Sequence, residues 1–312
     1  MFIIPLETLS SIINLAIAMA TPLALAGLGE VYSERSGVLN LGVEGIMLMG
    51  AFTAFHFTYL TGNIIVGYIT AILIGLALGL LKALLSISLK VNQVIAGMGI
   101  YFLGFGLSDF LYRTIYGAEY VTVQKSVQIS VPLLSSIPLI GPALFKQYPV
   151  IYLTYVLIPL AWFILYRTRW GLALRAVGEN PRVADTLGVN VFRVRYLAVL
   201  FGSSMAGFAG AFLCLGVVGL FYENLTFGMG FIAIGLVYFG KWDPLRMWAG
   251  SLIFGSAWSI STFLQDYFVK AGYPAATYFL LMIPYIVVIV SLVAVSRRAR
   301  APAALSIPYT RE

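Results

Sequence analysis

The chain has 312 residues, of which 61% are hydrophobic and only 10% charged, and its mean hydropathy is +0.95. A soluble core of this size needs a polar shell that so few charges cannot supply, so the composition excludes a soluble protein and predicts an all-α polytopic membrane protein. The net charge of +7 invites a nucleic-acid reading, but the positions of the cations follow a membrane topology instead, and no nucleic-acid partner is expected.

Taken in chain order, apolar length and breakers predict nine spans, with eight or ten as alternatives. They are 9–29, 38–60, 64–85, 91–112, 149–166, 196–218, 225–240, 247–265 and 275–295. Most can cross a hydrocarbon core of about 30 Å at about 1.5 Å per residue. No Lys or Arg precedes the first run and no small-residue cleavage site follows it, so a cleaved signal peptide is not expected. The seventh run is short and carries Gly228, Gly230, Gly235 and Gly240.

With alternate loops on opposite sides, fifteen Lys and Arg share one side: Arg35, Lys82, Lys90, the six Arg of 167–195, Lys241, Arg246, Arg297, Arg298, Arg300 and Arg311. Four take the other: Arg113, Lys125, Lys146 and Lys270. The positive-inside rule then predicts an external N-terminus and a cytoplasmic C-terminus. A re-entrant 225–240 would move Lys241 and Arg246 outside and spoil that split. The chain reads as one membrane domain, 1–312, with an external loop at 113–148 and a cytoplasmic segment at 167–195. In the loop, "YVTVQKSVQISV" alternates like a strand and prolines follow at 132, 138 and 142, which predicts a small ordered cap.

Polar residues inside apolar runs mark pathways by default, because lipid penalises them. In "GVLNLGVEGIMLMGAF", Asn40 and Glu44 are four apart and share a helical face. Asn92 and Gln93 open the fourth span. These four are the candidates for the substrate path or its gate; the alternative is that Asn40 and Glu44 only cap and pair at the inner interface. Asp109, Glu223 and Asp266 read as solvated charges near outer ends. Gly-interrupted segments in both halves, 37–50 and 228–240, fit discontinuous helices at a transport site, although glycines also serve close helix packing.

Motifs for chemistry are absent from the sequence. The lone histidine, His56, has no metal-ligand partner by spacing and reads as a satisfied helix residue. There is no "GxSxG", "HExxH" or "GxxxxGK[ST]"; "FGKWDP" at 239–244 is no P-loop. The single Cys214 excludes an intramolecular disulfide or a multi-thiolate metal site. Neither an enzyme with its own ATPase motif nor a cofactor is expected.

The segment "RAVGENPRVADTLGV" interrupts the apolar pattern with mixed charge. Asn180 suits a helix N-cap, Pro181 the first turn and Gly188 the stop. The short helix between them sets Val183, Ala184 and Leu187 beside Arg182 and Asp185. The alternative is a solvated connector.

Together, "GVLNLGVEGIMLMGAF", "RAVGENPRVADTLGV" and "GMGFIAIGLVYFGKWDP", in that order, resemble the permease subunit of ABC-type importers for branched-chain amino acids, simple sugars and nucleosides. The resemblance covers about residues 30–295 and is nearest the nucleoside, guanosine-type branch. It implies import of nucleosides into the cytoplasm across a prokaryotic plasma membrane, with simple sugars or branched-chain amino acids as alternatives. It also implies an extracellular or periplasmic solute-binding protein and a cytoplasmic ATP-binding subunit. That subunit would be engaged by a coupling segment containing Arg175, Gly178, Glu179, Asn180, Arg182, Ala184, Asp185 and Gly188. The short start before the first span resembles the shorter of two different permeases, which implies a heterodimer. An ion-coupled secondary transporter is the rival from another class; scarce mid-membrane carboxylates oppose it.

Overall fold

The computed structural model describes residues 6–117, 119, 121–296 and 300–310. Arg297, Arg298 and Arg311, counted above, lie outside the described residues. The spans are α1 (Leu6–Arg35), α2 (Val43–Thr61), α3 (Ile64–Ala83, continued by a π-helical turn Leu84–Ser88) and α4 (Gln93–Tyr116). After the connecting loop come α5 (Ile140–Phe145), α6 (Pro149–Arg167), α7 (Arg169–Glu179), α8 (Pro181–Thr186) and α9 (Val191–Phe212, continued by a π-helical stretch Leu213–Val218). The last are α10 (Met229–Phe239), α11 (Pro244–Lys270), α12 (Ala276–Leu280) and α13 (Ile283–Ser296). The chain is an all-α polytopic membrane protein, and each of the nine apolar runs is helical.

Among the described residues, seven stretches are long and apolar enough to cross a membrane. The other two runs differ from them for opposite reasons. α10 has only 11 residues, too few for a full crossing at about 1.5 Å per residue. α11 has 27 residues, but Ser251, Ser256, Ser259 and Ser261 lower its hydropathy. α1 runs past the predicted end at 29 to Arg35 and so takes Glu30 and Glu34 into the helix. α2 starts at Val43, later than the predicted 38, because residues 36–42 are not helical.

The two ends of the bundle have different chemistry. At the basic end, Arg35 Nε donates to Trp242 O at 3.0 Å, and α7 and α8 lie alongside. At the loop end, Asn14 Nδ2 on α1 donates to Pro142 O and Lys146 O at 3.0 and 2.8 Å. Among its described residues, the loop over 117–148 contains a minimal antiparallel pair, Ile129–Ser130 with Lys146–Gln147, and an isolated bridge from Thr122 to Leu220, besides α5 and a 3-10 turn. The strand-like alternation at 120–131 therefore yields two strand residues, since no long neighbouring edge exists to pair with it. The loop is tied down instead through Val123 N to Gly219 O (3.0 Å) and Ser126 N to Leu215 O (2.9 Å).

The two long helices α1 and α9 run through the bundle in opposite directions. α1 enters at the loop end and α9 at the basic end, and they cross at Gly29 and Gly202. A Cβ on Gly29 would lie 2.5 Å from Gly202 O, so the two backbones touch there. α1 packs on α9, α10 and α11, while α9 packs on α1, α2 and α3. Each lead helix is followed by a non-helical break, 36–42 or 219–228, and then by a helix that begins inside the bundle.

Candidate translocation and coupling sites

The first break climbs along the first turns of α4. Leu39 N donates to Gln93 Oε1 at 2.8 Å, and a Cβ on Gly97 would lie 2.8 Å from Leu41 N. Asn40, 1% exposed, turns the chain into α2 by accepting from Gly42 N at 3.1 Å. α2 then starts beside the middle of α4: a Cβ on Gly45 would meet Ile100 O at 2.7 Å.

The second break descends from the loop end and delivers α10 to the same place. Glu44 lies in the first turn of α2, 1% exposed. Its carboxylate accepts from Thr226 Oγ1 at 2.5 Å, Gly228 N at 2.8 Å and Gly230 N at 2.6 Å. One carboxylate thus satisfies the open amides of α10 while sitting at the N-terminus of α2, where both helix dipoles favour negative charge. Gly230 admits this approach because a Cβ there would meet Glu44 Cα and N at 2.6 Å.

Of the four residues expected along the path, Asn40, Glu44 and Gln93 are buried within the subunit, and only Asn92 is exposed. Asn92 caps α4 by accepting from Val94 N (2.9 Å) and Ile95 N (3.3 Å). Outside this node, an open face runs over α4, α10 and α13. It carries Tyr101 and Phe231 with ring centroids 5.1 Å apart, Phe105, and Phe227, whose carbonyl accepts from Tyr285 Oη at 2.9 Å. Gly99 and Gly106 on α4 have only open space where a Cβ would be.

Sequence reading missed a second buried polar group near the basic end. Glu30, Glu34 and Lys82 are all 0% exposed. Lys82 Nζ donates to Gln93 O at 2.6 Å, and Glu34 Oε2 accepts from Trp242 Nε1 at 2.6 Å. Glu30 interacts with Glu34, Lys82 and Asn40. Glu30 and Glu34 four apart were visible in the sequence; ending the first span at 29 left them in a loop.

At the loop end, Asp109 and Glu223 both bind Arg113, at 2.8 and 2.6 Å, so they tie α4 to the second break rather than standing as separate solvated charges. Asp266 pairs with Lys270 on the exposed side of α11. His56 Nδ1 lies 2.8 Å from Tyr116 Oη with its ring stacked on Phe52, a satisfied helix histidine.

The coupling candidates split into an inner and an outer set. Gly178 is buried: a Cβ there would run into Arg35 O. Arg175 stacks over the Tyr166 ring at 5.1 Å. Asn180 Oδ1 accepts from Val183 N at 3.2 Å, and Pro181 opens α8. Ala184 points inward at 2% exposed, and Gly188 closes the turn at φ +85°, a conformation that favours glycine. Glu179 and Arg182 are exposed and Asp185 is half-buried. Val183 and Leu187, four apart on one face, are 52% and 79% exposed.

Helices that start inside a bundle at a shared node, with a short exposed helix at the basic end, define a transport subunit. The family model for the permease component of branched-chain amino acid transport systems matches residues 12–292, and the chain belongs to that family of ABC transporter permeases. It is a multi-pass plasma-membrane protein. A Haloferax volcanii permease, whose name gives glucose as a provisional substrate, is 45% identical over 79% of this chain and 75% of its own. The guanosine permease NupQ of Bacillus subtilis is 34% identical, and the nucleoside permease NupC of Lactococcus lactis 33%, each over 98% of both chains. A second Bacillus subtilis guanosine permease, NupP, is 26% identical over 72% of this chain and 66% of its own. No solved structure matches the chain.

Proposed function

We propose that this permease forms half of the pore of an ATP-driven nucleoside importer. The observation that carries the reading is the Glu44 node. Broken-helix N-termini commonly attract an anionic solute group, but here the chain's own carboxylate fills that role. A pathway beside the node has no spare positive helix end for an amino-acid carboxylate, and it suits a neutral solute. The end-to-end likeness to two nucleoside permeases supports a nucleoside within that class. The aromatic face of Tyr101, Phe105, Phe227 and Phe231 supports it too, since a nucleobase offers a π-face for stacking. Asn40, Glu44, Asn92 and Gln93 act on that path as its gate, by holding the two half-helices in place.

The fifteen-to-four cation split supports a cytoplasmic basic end, an external N-terminus and transport inward. There α8 and its flanks, Arg175 to Gly188, engage an ATP-binding subunit. A solute-binding protein delivers substrate at the loop end. The existence of two guanosine permeases in one organism supports a second, different permease across the pore.

A simple sugar is the second reading, favoured by the 45% identity to the Haloferax volcanii permease. Competition decides between them. Uptake of labelled guanosine should be blocked by excess unlabelled nucleosides and spared by glucose, ribose and leucine. No saturable uptake of guanosine, together with uptake of labelled glucose that excess nucleosides spare, would transfer the assignment to sugars.

A further inference from the structure

Residues 300–310 fold back onto the basic end of the bundle. Ala304 N donates to Gly178 O at 2.9 Å and Ala303 N to Glu179 Oε2 at 3.4 Å, so the segment lies along the last turn of α7. Ser306 N donates to Gly37 O at 3.1 Å, at the foot of the first break. Arg195, 1% exposed, donates from Nε to Ser36 O and from Nη1 to Ile307 O, both at 3.1 Å. Tyr309 is buried, its ring 5.7 Å from that of Phe192. The foot of the break is shaped for this contact. Gly37 has φ +92°, and a Cβ there would lie 2.8 Å from Arg195 Nη2 and 3.0 Å from Ala304 O.

These bonds fix what the segment shows to solvent. Pro302, Ala304 and Tyr309 face inward, whereas Ile307 is 54% exposed and Pro308 and Thr310 are exposed beside it. A cleft of about 340 Å³ separates the segment from the start of α8, with Pro181 and Arg182 on one wall and Ile307 and Thr310 on the other. Ile307 therefore lies across the cleft from Arg182 of α8, and Val183 and Leu187, on either side of buried Ala184, are exposed as well.

We propose that residues 302–310 form the second half of the surface on which the ATP-binding subunit docks, α8 being the first. The proposal rests on the coupling reading of α8. Two observations commit it to that occupant. The segment is continuous with the start of α8 through the shared cleft, so a body seated on Pro181 and Arg182 meets Ile307 as well. Exposed apolar residues beside the exposed Arg182 fit a soluble partner that offers apolar contacts next to carboxylates, where desolvated apolar anchors carry the affinity and the charge sets orientation. Through Arg195 and Gly37 the same segment touches the first break, so docking would bear directly on its foot.

The test uses the assembled transporter in lipid nanodiscs, with the buried Cys214 replaced by Ala. Single cysteines, Leu187→Cys and Ile307→Cys, each carry a photo-activated crosslinker. Both should capture the ATP-binding subunit. Capture from Leu187→Cys, with only phospholipid adducts or none from Ile307→Cys, overturns the proposal and leaves α8 as the whole docking element. Failure of both removes the coupling reading as well. In parallel, Ile307→Glu should weaken binding of the ATP-binding subunit at least tenfold while the permease unfolds at its wild-type temperature; unchanged affinity would contradict the proposal.

Discussion

The Glu44 node and the α8 surface are both built where helices end, yet their polar and apolar groups are arranged in opposite ways. At the node, a carboxylate takes three donors from a break 182 to 186 residues away in sequence, and almost none of it meets solvent. At α8, only Ala184 is turned inward, while Val183 and Leu187 are left uncovered. The node has its partners within the chain, and α8 has apolar surface that only a second molecule can cover. Polar groups buried in a bundle need every bond made, so the node holds a geometry. The α8 surface keeps an unmet drive to bury, which suits it to receive work from outside.

Substitutions can break or sharpen that contrast. Glu44→Ala leaves two buried donors and a half-buried one without an acceptor; at about 1–3 kcal/mol for each buried donor, a loss of about 2–6 kcal/mol is expected in thermal unfolding of the purified permease. Wild-type stability would mean that the carboxylate does not hold the half-helices. Gly230→Ala pushes a methyl group into the Glu44 backbone and should cost about 1–3 kcal/mol, the usual range for overpacking. Thr226→Val removes one charge-assisted bond and keeps the shape, for about 1.5–3 kcal/mol less the gain from burying a methyl in its place; it should be the mildest of the node variants. Leu187→Glu stands at the far end of the series. It should move stability by no more than about 0.5 kcal/mol, as surface changes do, and still abolish ATP-driven uptake. A destabilised Leu187→Glu protein, or one that transports normally, would erase the distinction between the two regions.

The sequence made some of this visible and hid the rest for physical reasons. Hydropathy placed helix in each of the nine runs because lipid tolerates few alternatives to an apolar helix. Glycines at 37–50 overlapped the first break, whereas those at 228–240 began only at the end of the second and ran through α10; Asn180, Pro181 and Gly188 announced α8, since caps and stops are local chemistry. Glu44 stood out, but its partners did not. Thr226, Gly228 and Gly230 are 182 to 186 residues away and become its neighbours only through the tertiary packing of the bundle. Glu30 and Glu34 were hidden by a span boundary set six residues early. Residues 300–310 have no periodicity at all. Their order comes from backbone amides meeting Gly178 and Gly37 and from the buried Arg195, which no local pattern encodes.

The most direct measurement is uptake into proteoliposomes holding the permease, its partner permease and the ATP-binding subunit, with the solute-binding protein and labelled guanosine on the loop-end side. The account predicts uptake only when ATP is present on the side of α8, and uptake that persists after ionophores collapse every ion gradient. Guanosine uptake that proceeds without ATP and stops with the ionophores would contradict it.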